Sequence, residues 1–482
     1  MTAALQFELR PYQLEGVEQL RGAYRTGARA PVYQLPTGGG KTMVFSFVTH
    51  SAAARGKRVL ILVHRVELLQ QSSDTLARWG VDHGCISPHY PLTLERRVQV
   101  ASVQTVARRL GRLEAAGWKP DLIVVDECHH AVAGTWRRVL EAFPGAMCLG
   151  VSATPGRLDG RGLGREAGGV FDAMVTGPSI AELIDGGYLA RPRVFASRTS
   201  IDAELRQLRS IGGDWEQEGL ARVMSQRAVI GDAVEHYARL CPGTPAIAFC
   251  VSVAHAEQVR EQFATAGWRA RRIDGGMQAA ERASIVAALS EGDLDVMVSC
   301  ELVSEGFDVP VCGAAILLRP TQSETLFMQQ VGRALRSYPG KECAYILDHA
   351  ENVKRHGLPQ IEREWTLAGR GPRAQVPQVK QCPGCYAMLP ASTMTCPECE
   401  HSFMLMEGEE PREGTGAGGR EDPVQVDEQL VEVTEEMVAA ARLRARQEVR
   451  EATTREQLEA IARQRGYNVR WVDHILRARG GR

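Results

Sequence analysis

The chain has 482 residues, with 57 Lys and Arg against 58 Asp and Glu, a net charge of −1, 44% hydrophobic residues and 24% charged ones. That is ordinary globular composition, long enough for about three domains with their own cores, and it excludes a polyanion binder that works through overall charge. The start, Met1 to Glu8, has no basic segment followed by an apolar core, and no run of eighteen apolar residues occurs, so neither a signal peptide nor a membrane span is expected.

Leu9-Arg10-Pro11-Tyr12-Gln13 precedes a predicted helix, Leu14 to Tyr24. Val32-Tyr33-Gln34-Leu35 then reads as a buried strand, followed by Pro36-Thr37-Gly38-Gly39-Gly40-Lys41-Thr42 and a helix from Met43 to Val48. Strand, glycine turn and helix form the setting of a phosphate-binding loop. Backbone amides around Thr37, Gly38, Gly39 and Gly40 can curl round an anion at the positive end of the helix. Lys41 then reaches the β- and γ-phosphates of ATP, and the Thr42 hydroxyl ligates Mg²⁺. The general pattern wants glycine where Leu35 stands, so the strict match fails by one position. The form Pro-Thr-Gly-x-Gly-Lys-Thr nevertheless resembles superfamily 2 helicases. That resemblance implies that Gln13 reads the adenine of ATP, since a glutamine amide can pair with adenine N6 and N7. Arg10 joins it in the nucleotide site.

From Val59 onward, apolar runs alternate with helical patterns. Val59 to Val63, Val98 to Ala101, Leu122 to Val125 and Cys148 to Val151 read as strands, with helices such as Val66 to Trp79 and Thr135 to Phe143 between them. The pattern predicts a parallel sheet covered on both faces, with functional residues beyond the carboxyl ends of its strands. His64 and Arg65 follow the first of these runs, and Gln104 and Thr105 the second. Both pairs resemble the strand-binding motifs of superfamily 2, which implies contacts to a nucleic-acid backbone. Leu122 to Val125 delivers Asp126-Glu127-Cys128-His129. Two carboxylates at the end of a buried strand are costly unless they have work. Asp126 is expected to hold Mg²⁺, and Glu127 to position and deprotonate the attacking water. By resemblance to the DExH variant, His129 couples this site to the second domain. His130 reads as a solvated or packing residue. Ser152-Ala153-Thr154 matches the family's third motif, and the resemblance gives Ser152 and Thr154 the role of linking ATP state to domain closure.

Residues 201–226 are polar and irregular, with no role assigned. A second sheet pattern then follows: Ala246 to Cys250, Arg271 to Ile273, Val296 to Val298, Ala315 to Leu318 and Ala344 to Leu347. Its helices are predicted over His255 to Ala266, Ala279 to Leu289 and Glu324 to Leu335. Ser299 to Asp308 resembles motif V, which implies Gly306 near the γ-phosphate, Asp308 on the ribose and Cys300 at the nucleic-acid backbone. The family usually has threonine where Cys300 stands. Gln329-Gln330-Val331-Gly332-Arg333-Ala334-Leu335-Arg336 matches motif VI. Gln329 is expected to couple the two domains. Arg333 and Arg336, one helical turn apart, are expected to face a triphosphate in the opposite domain as an arginine-finger pair. Within superfamily 2, the motif set is similar to type III restriction helicase subunits and RadD-like repair proteins.

Cys382-Pro-Gly-Cys385 and Cys396-Pro-Glu-Cys399 supply four thiolates suited to one tetrahedral Zn²⁺, or else two redox dithiols. The other eight cysteines are scattered and read as reduced thiols of a cytoplasmic protein. Residues 441–482 hold eleven arginines against five acids, a tail that grips phosphates, docks a partner, or is simply a solvated helical hairpin. Glu432 to Arg450 and Arg455 to Arg465 are its predicted helices.

The expected fold is therefore α/β, with two tandem RecA-like parallel-sheet domains at 1–195 and 196–370. A zinc ribbon (378–405), a flexible linker (406–427) and a basic helical C-terminal segment (428–482) follow. The expected function is an ATP-dependent DNA helicase or translocase in repair, replication or recombination, using ATP, Mg²⁺ and Zn²⁺. Its partner would be single-stranded or branched DNA, with repair or single-strand-binding proteins as candidate companions and no membrane. The alternatives are a nucleic-acid-stimulated ATPase that remodels a protein–DNA complex, and an RNA helicase.

Overall fold

The structure, a computed structural model, describes residues 8–88, 90–156, 161–196, 201–211, 214–226, 229–300, 309–369, 379–381, 388–390, 431–432, 452 and 454–459. The first sheet uses strands β1 (Pro31–Gln34), β2 (Val59–Val63), β3 (His83–Ile86), β4 (Val98–Ser102), β5 (Leu122–Asp126), β6 (Met147–Ser152) and β7 (Ala173–Thr176). All its pairings are parallel, in the order β3-β4-β2-β5-β6-β1-β7. Helices α1 (Pro11–Arg25), α2 (Lys41–Ala54), α3 (Val66–Arg78), α4 (Val103–Ala115) and α5 (Gly134–Glu141) cover it.

Strand β2 shows why the apolar runs are continuous. Val59, Ile61 and Val63 pack on the face of α1–α3, and Leu60 and Leu62 on the face of α4 and α5. A central strand buried on both faces needs an apolar residue at every position. Each such side chain contributes about 1.5–3 kcal/mol of burial free energy.

After α6 (Ile180–Asp185), the second sheet opens with β8 (Arg191–Ala196). Residues 201–226, which carry no legible pattern, form α7 (Asp202–Leu205), a hairpin of β9 (Ser210–Ile211) and β10 (Asp214–Trp215), and α8 (Gln217–Gln226). They enclose a small core of their own around Leu205, Trp215, Leu220 and Met224. Then follow α9 (Val229–Leu240), β11 (Ala246–Cys250), α10 (Val253–Thr265), β12 (Ala270–Ile273), α11 (Ala279–Glu291), β13 (Val296–Cys300), β14 (Ala314–Leu317), α12 (Glu324–Ala334), β15 (Cys343–Asp348) and α13 (Asn352–His356). A separate hairpin, β16 (Val379–Gln381) with β17 (Met388–Pro390), precedes the two-residue strand β18 (Val431–Glu432). The sheet order is β12-β13-β11-β14-β15-β8-β18, parallel except for the antiparallel β18.

Two expectations change. Because β8 pairs along its length with β15, the sheets divide between Thr176 and Arg191, ahead of the boundary expected at 195. Glu432, expected to begin a helix, lies in β18 opposite Phe195. The four cysteines expected to hold zinc, the linker 406–427 and most of the basic tail lie outside the described residues. Among the described residues, no helix is long and apolar enough to cross a membrane.

Candidate active site

Strand order assembles the site. In the first sheet β5, β6 and β1 are consecutive neighbours, so the loops at their carboxyl ends stand side by side. These loops are Asp126-Glu127, Ser152-Ala153-Thr154 and the glycine loop before α2. The sequence, which separates them by up to about a hundred residues, reads each as an isolated motif; the sheet makes them one surface.

The glycine loop depends on its backbone. Gly38 and Gly40 both have φ of 86°, a region open to glycine at no steric cost. A Cβ on Gly40 would also lie 2.4 Å from Gln13 Nε2. Gln13 is buried and donates from Nε2 to the Gly39 carbonyl at 2.9 Å, while its Oε1 accepts from the Arg10 amide at 2.9 Å. These bonds fix the orientation of the amide expected to read adenine. Tyr12 joins the same contact. Its hydroxyl donates to the same Gly39 carbonyl at 2.8 Å, and its ring meets Tyr188 edge-on at 4.9 Å between centroids. The Arg10 guanidinium lies 5.0 Å over the Tyr188 ring.

Lys41 Nζ stands 3.9 Å from Glu127 Oε1. Asp126 is buried at the end of β5. Burial, with the Glu127 carboxylate beside it, pushes its carboxyl well above the ordinary range. A bound divalent cation would restore the ionised form, so Asp126 fits the role expected of it, a holder of Mg²⁺. Glu127 occupies left-handed backbone (φ 48°), which is costly for a side-chain-bearing residue. The Ser152 hydroxyl donates to Glu127 Oε2 at 3.4 Å. His129 Nδ1 lies 3.2 Å from Ser152 Oγ and 3.5 Å from Glu127 Oε2. Thr154 donates its backbone N–H to Ser152 Oγ at 3.2 Å, and the residue lines a cavity of about 130 Å³ between the domains. His130 lies between His64 and His129, tilted to both rings at 4.7 and 4.2 Å between centroids, so it packs against the site.

The second domain closes directly on the glycine loop. A Cβ added to Gly332 of α12 would lie 2.6 Å from Thr37 Cβ, and one added to Gly38 would lie 2.7 Å from Leu189 Cδ2. Gln329 and Arg333 are buried on α12. Arg336 departs from expectation, because α12 ends at Ala334 and Arg336 lies in an extended bridge opposite Leu189. The arginine pair is therefore not one helical face. Burial pushes the Arg336 guanidinium down to about 10, a cost that an anion in the cleft would relieve. Lys341, which the sequence left unassigned, holds the end of α12. Its Nζ donates to the carbonyls of Ala334, Arg336 and Cys312 at 2.5, 2.6 and 2.7 Å.

The expected strand-binding residues fare unevenly. Gln104 is exposed at the start of α4 and donates to the His64 carbonyl at 3.5 Å, so the two loops adjoin. His64 and Arg65 are partly exposed beside it, and Arg65 Nε donates to His64 Nε2 at 3.3 Å. Thr105 and Cys300 are both buried, and Cys300 belongs to the outer apolar cluster of the second domain. Its thiol is thus packed inward and not presented to a strand, a correction to the expectation. Glu67 of α3 pairs with Arg282 of α11 across the domains. Gly306 and Asp308 lie outside the described residues.

Comparison with known proteins agrees with this geometry. Residues 6–157 match the family described as "Type III restriction enzyme, res subunit", and residues 232–338 match "Helicase conserved C-terminal domain". A "51.5 kDa protein" of a Lactococcus phage (isolate 7-9) is 34% identical over 78% of this chain and 79% of its own length. A Saccharomyces cerevisiae protein that carries an ATP-dependent helicase name is 30% identical over 70% of this chain, which spans 51% of that relative. Among solved structures, a fragment of a type I restriction enzyme HsdR subunit from Vibrio vulnificus superposes with a TM-score of 0.57 at 21% identity, covering 75% of this chain and 69% of the fragment. The restriction-modification enzyme LlaBIII bound to DNA gives 0.52 at 20% identity, covering 71% of this chain and 28% of that one. Two helicase domains matched in order, on two RecA-like sheets that bring a phosphate loop, a DExH carboxylate pair and a motif VI helix to one cleft, make this chain an ATP-hydrolysing superfamily 2 helicase with restriction-helicase-like relatives.

Proposed function

We propose that the chain is a DNA motor that translocates along or unwinds single-stranded or branched DNA, in repair, replication or recombination. The observation that carries the reading is the direct seating of the motif VI helix on the glycine loop, Gly332 against Thr37, with Asp126 and Glu127 in the same cleft. ATP with Mg²⁺, when bound, supplies the phosphoanhydride bond whose hydrolysis drives the cycle. Amides at 37–40 and Lys41 hold the phosphates, with Gly306 beside them. Arg10 and Gln13 hold the adenine end, and Asp308 holds the ribose. Glu127 takes the proton of the attacking water, held in place by Ser152 and His129. Arg333 and Arg336 reach across the cleft, while Thr154 and Gln329 relay closure. His64, Arg65 and Gln104 line the path of the strand. The choice of DNA is supported by the likeness to restriction enzymes, one of which, LlaBIII, is described as bound to DNA.

The test compares ATP hydrolysis with single-stranded DNA, forked duplex and RNA of matched sequence, together with strand displacement. Stronger stimulation by DNA is expected. Equal or greater stimulation by RNA would overturn the DNA assignment and leave the motor intact. DNA-stimulated hydrolysis without strand displacement would narrow the activity to translocation or remodelling.

Cys382, Cys385, Cys396 and Cys399 form one structural zinc site in this reading, because so small a module has no core without metal. Metal analysis of freshly reduced protein should give about one equivalent, lost when any of the four is changed to serine. Metal-free protein with normal folding would sink the assignment. The module, with the arginine-rich tail, would add phosphate contacts to those of the core. Thiolates that hold zinc need a reducing compartment, which would be the cytoplasm.

A further inference from the structure

The chain between α13 and residue 369 has no regular structure, yet it touches both domains. Arg363 fixes its first half. The guanidinium donates to Glu324 Oε1 at 2.6 Å, at the first residue of α12. It also donates to the carbonyls of His356, Leu358, Pro359 and Ile361, at 3.2, 3.3, 2.9 and 2.7 Å. One side chain thus folds its own loop and ties it to the motif VI helix. The Arg363 side chain is only 11% exposed, so these bonds are largely shielded from competing water. Ile361 packs against the inner core of the second domain.

The second half crosses to the first domain. The Leu367 carbonyl accepts from the Gly164 amide at 2.9 Å, and Leu367 joins the apolar cluster on the α4–α5 face. Gly369 bridges Arg161 in antiparallel fashion. A Cβ on Gly162 would lie 2.0 Å from the Leu367 carbonyl oxygen, so the approach there requires glycine. A Cβ on Gly156, just past Thr154, would lie 3.5 Å from the Trp365 ring. Trp365, Thr154, Thr37 and Gly332 all line the cavity between the domains.

We infer that residues 357–369 form an interdomain strap. It links the loop after Ser152-Ala153-Thr154 to the amino end of α12, and Arg363 is the positioning residue that sets α12 against the glycine loop. The inference rests on the reading that Arg333 and Arg336 act across the cleft. Lys341 anchors the other end of α12, but only to carbonyls of its own domain. The strap alone, among these two anchors, responds to where the first domain stands. Domain movement during turnover therefore pulls on α12 through it.

The experiment uses the full chain, with Arg363→Ala, Leu367→Ser, the double variant and Arg363→Lys. Each is measured for ATP hydrolysis with its best polynucleotide activator and for nucleotide affinity. Each single change should lower kcat by about tenfold with KM for ATP within about twofold, the signature of a lost contribution to the closed state. The double variant should be no slower than the worse single, because both changes cut one strap. Arg363→Lys, which keeps a cation beside Glu324 without the planar fork, should fall between wild type and Arg363→Ala. Wild-type kcat in both single variants, or losses that multiply in the double, would overturn the strap. If Arg363→Ala does not fold, Leu367→Ser decides, since it leaves every Arg363 bond in place. A Lys41→Ala protein that still hydrolysed ATP would instead overturn the reading of the cleft on which the strap depends.

Discussion

Arg333→Ala is expected to lower kcat by about 10³-fold or more while nucleotide affinity changes little, because an arginine finger is worth about 10³–10⁵ in rate. That corresponds to about 4–7 kcal/mol of barrier. Arg333 follows Gly332, where an added Cβ would lie 2.6 Å from Thr37 Cβ, and it is buried. A guanidinium brought to charge developing on the transferred phosphoryl group stabilises it most where water is excluded. Lysine should not rescue it, since a point charge lacks the planar fork. Arg336→Ala is expected to act differently. Arg336 is held in a bridge with Leu189, whose Cδ2 would be 2.7 Å from a Cβ on Gly38. Its loss should weaken nucleotide binding as well as turnover. The measurement is single-turnover hydrolysis beside equilibrium binding of a fluorescent nucleotide. Arg333→Ala with near-normal kcat would remove it from the catalytic set.

The difference between those two arginines marks where sequence reasoning stops. Both sheets were legible because β2, β5, β11 and β13 are buried on both faces and read as unbroken apolar runs. The motifs were legible because each follows such a run. Strands at or near a sheet edge were not: His83–Ile86 alternates buried and half-buried positions, and Arg191–Ala196 carries two arginines and a proline. With so little continuous apolar signal, β8 could be assigned to its sheet only through pairing with β15, about 150 residues away. Arg336 was misplaced for a related reason. Local periodicity carries α12 onward, but Lys341 and the Leu189 bridge end it at Ala334. Arg363 gave no signal at all, because its partners are mostly backbone carbonyls, which no side-chain pattern encodes.

Glu127→Gln should abolish turnover while preserving, or tightening, the grip on nucleotide. A general base contributes about 10²–10⁴-fold, or about 3–5 kcal/mol, and glutamine of the same shape cannot take the proton. The Ser152 hydroxyl can still donate to the amide oxygen, so the side chain keeps its position. What changes is the charge beside Asp126. The Glu127 carboxylate is, after burial, the largest cause raising the Asp126 carboxyl. Removing it favours the ionised Asp126 that a divalent cation needs, so Mg²⁺ and nucleotide affinity should hold or rise as catalysis falls. Lys41→Ala is the contrast. It removes the cation 3.9 Å from Glu127, together with the phosphate contact proposed for it, and should lose binding and turnover together. Equilibrium nucleotide binding and single-turnover rates on both variants separate the two patterns. Hydrolysis at the wild-type rate by Glu127→Gln would show that the proton goes elsewhere, and that the strained carboxylate after β5 serves the fold and not the chemistry.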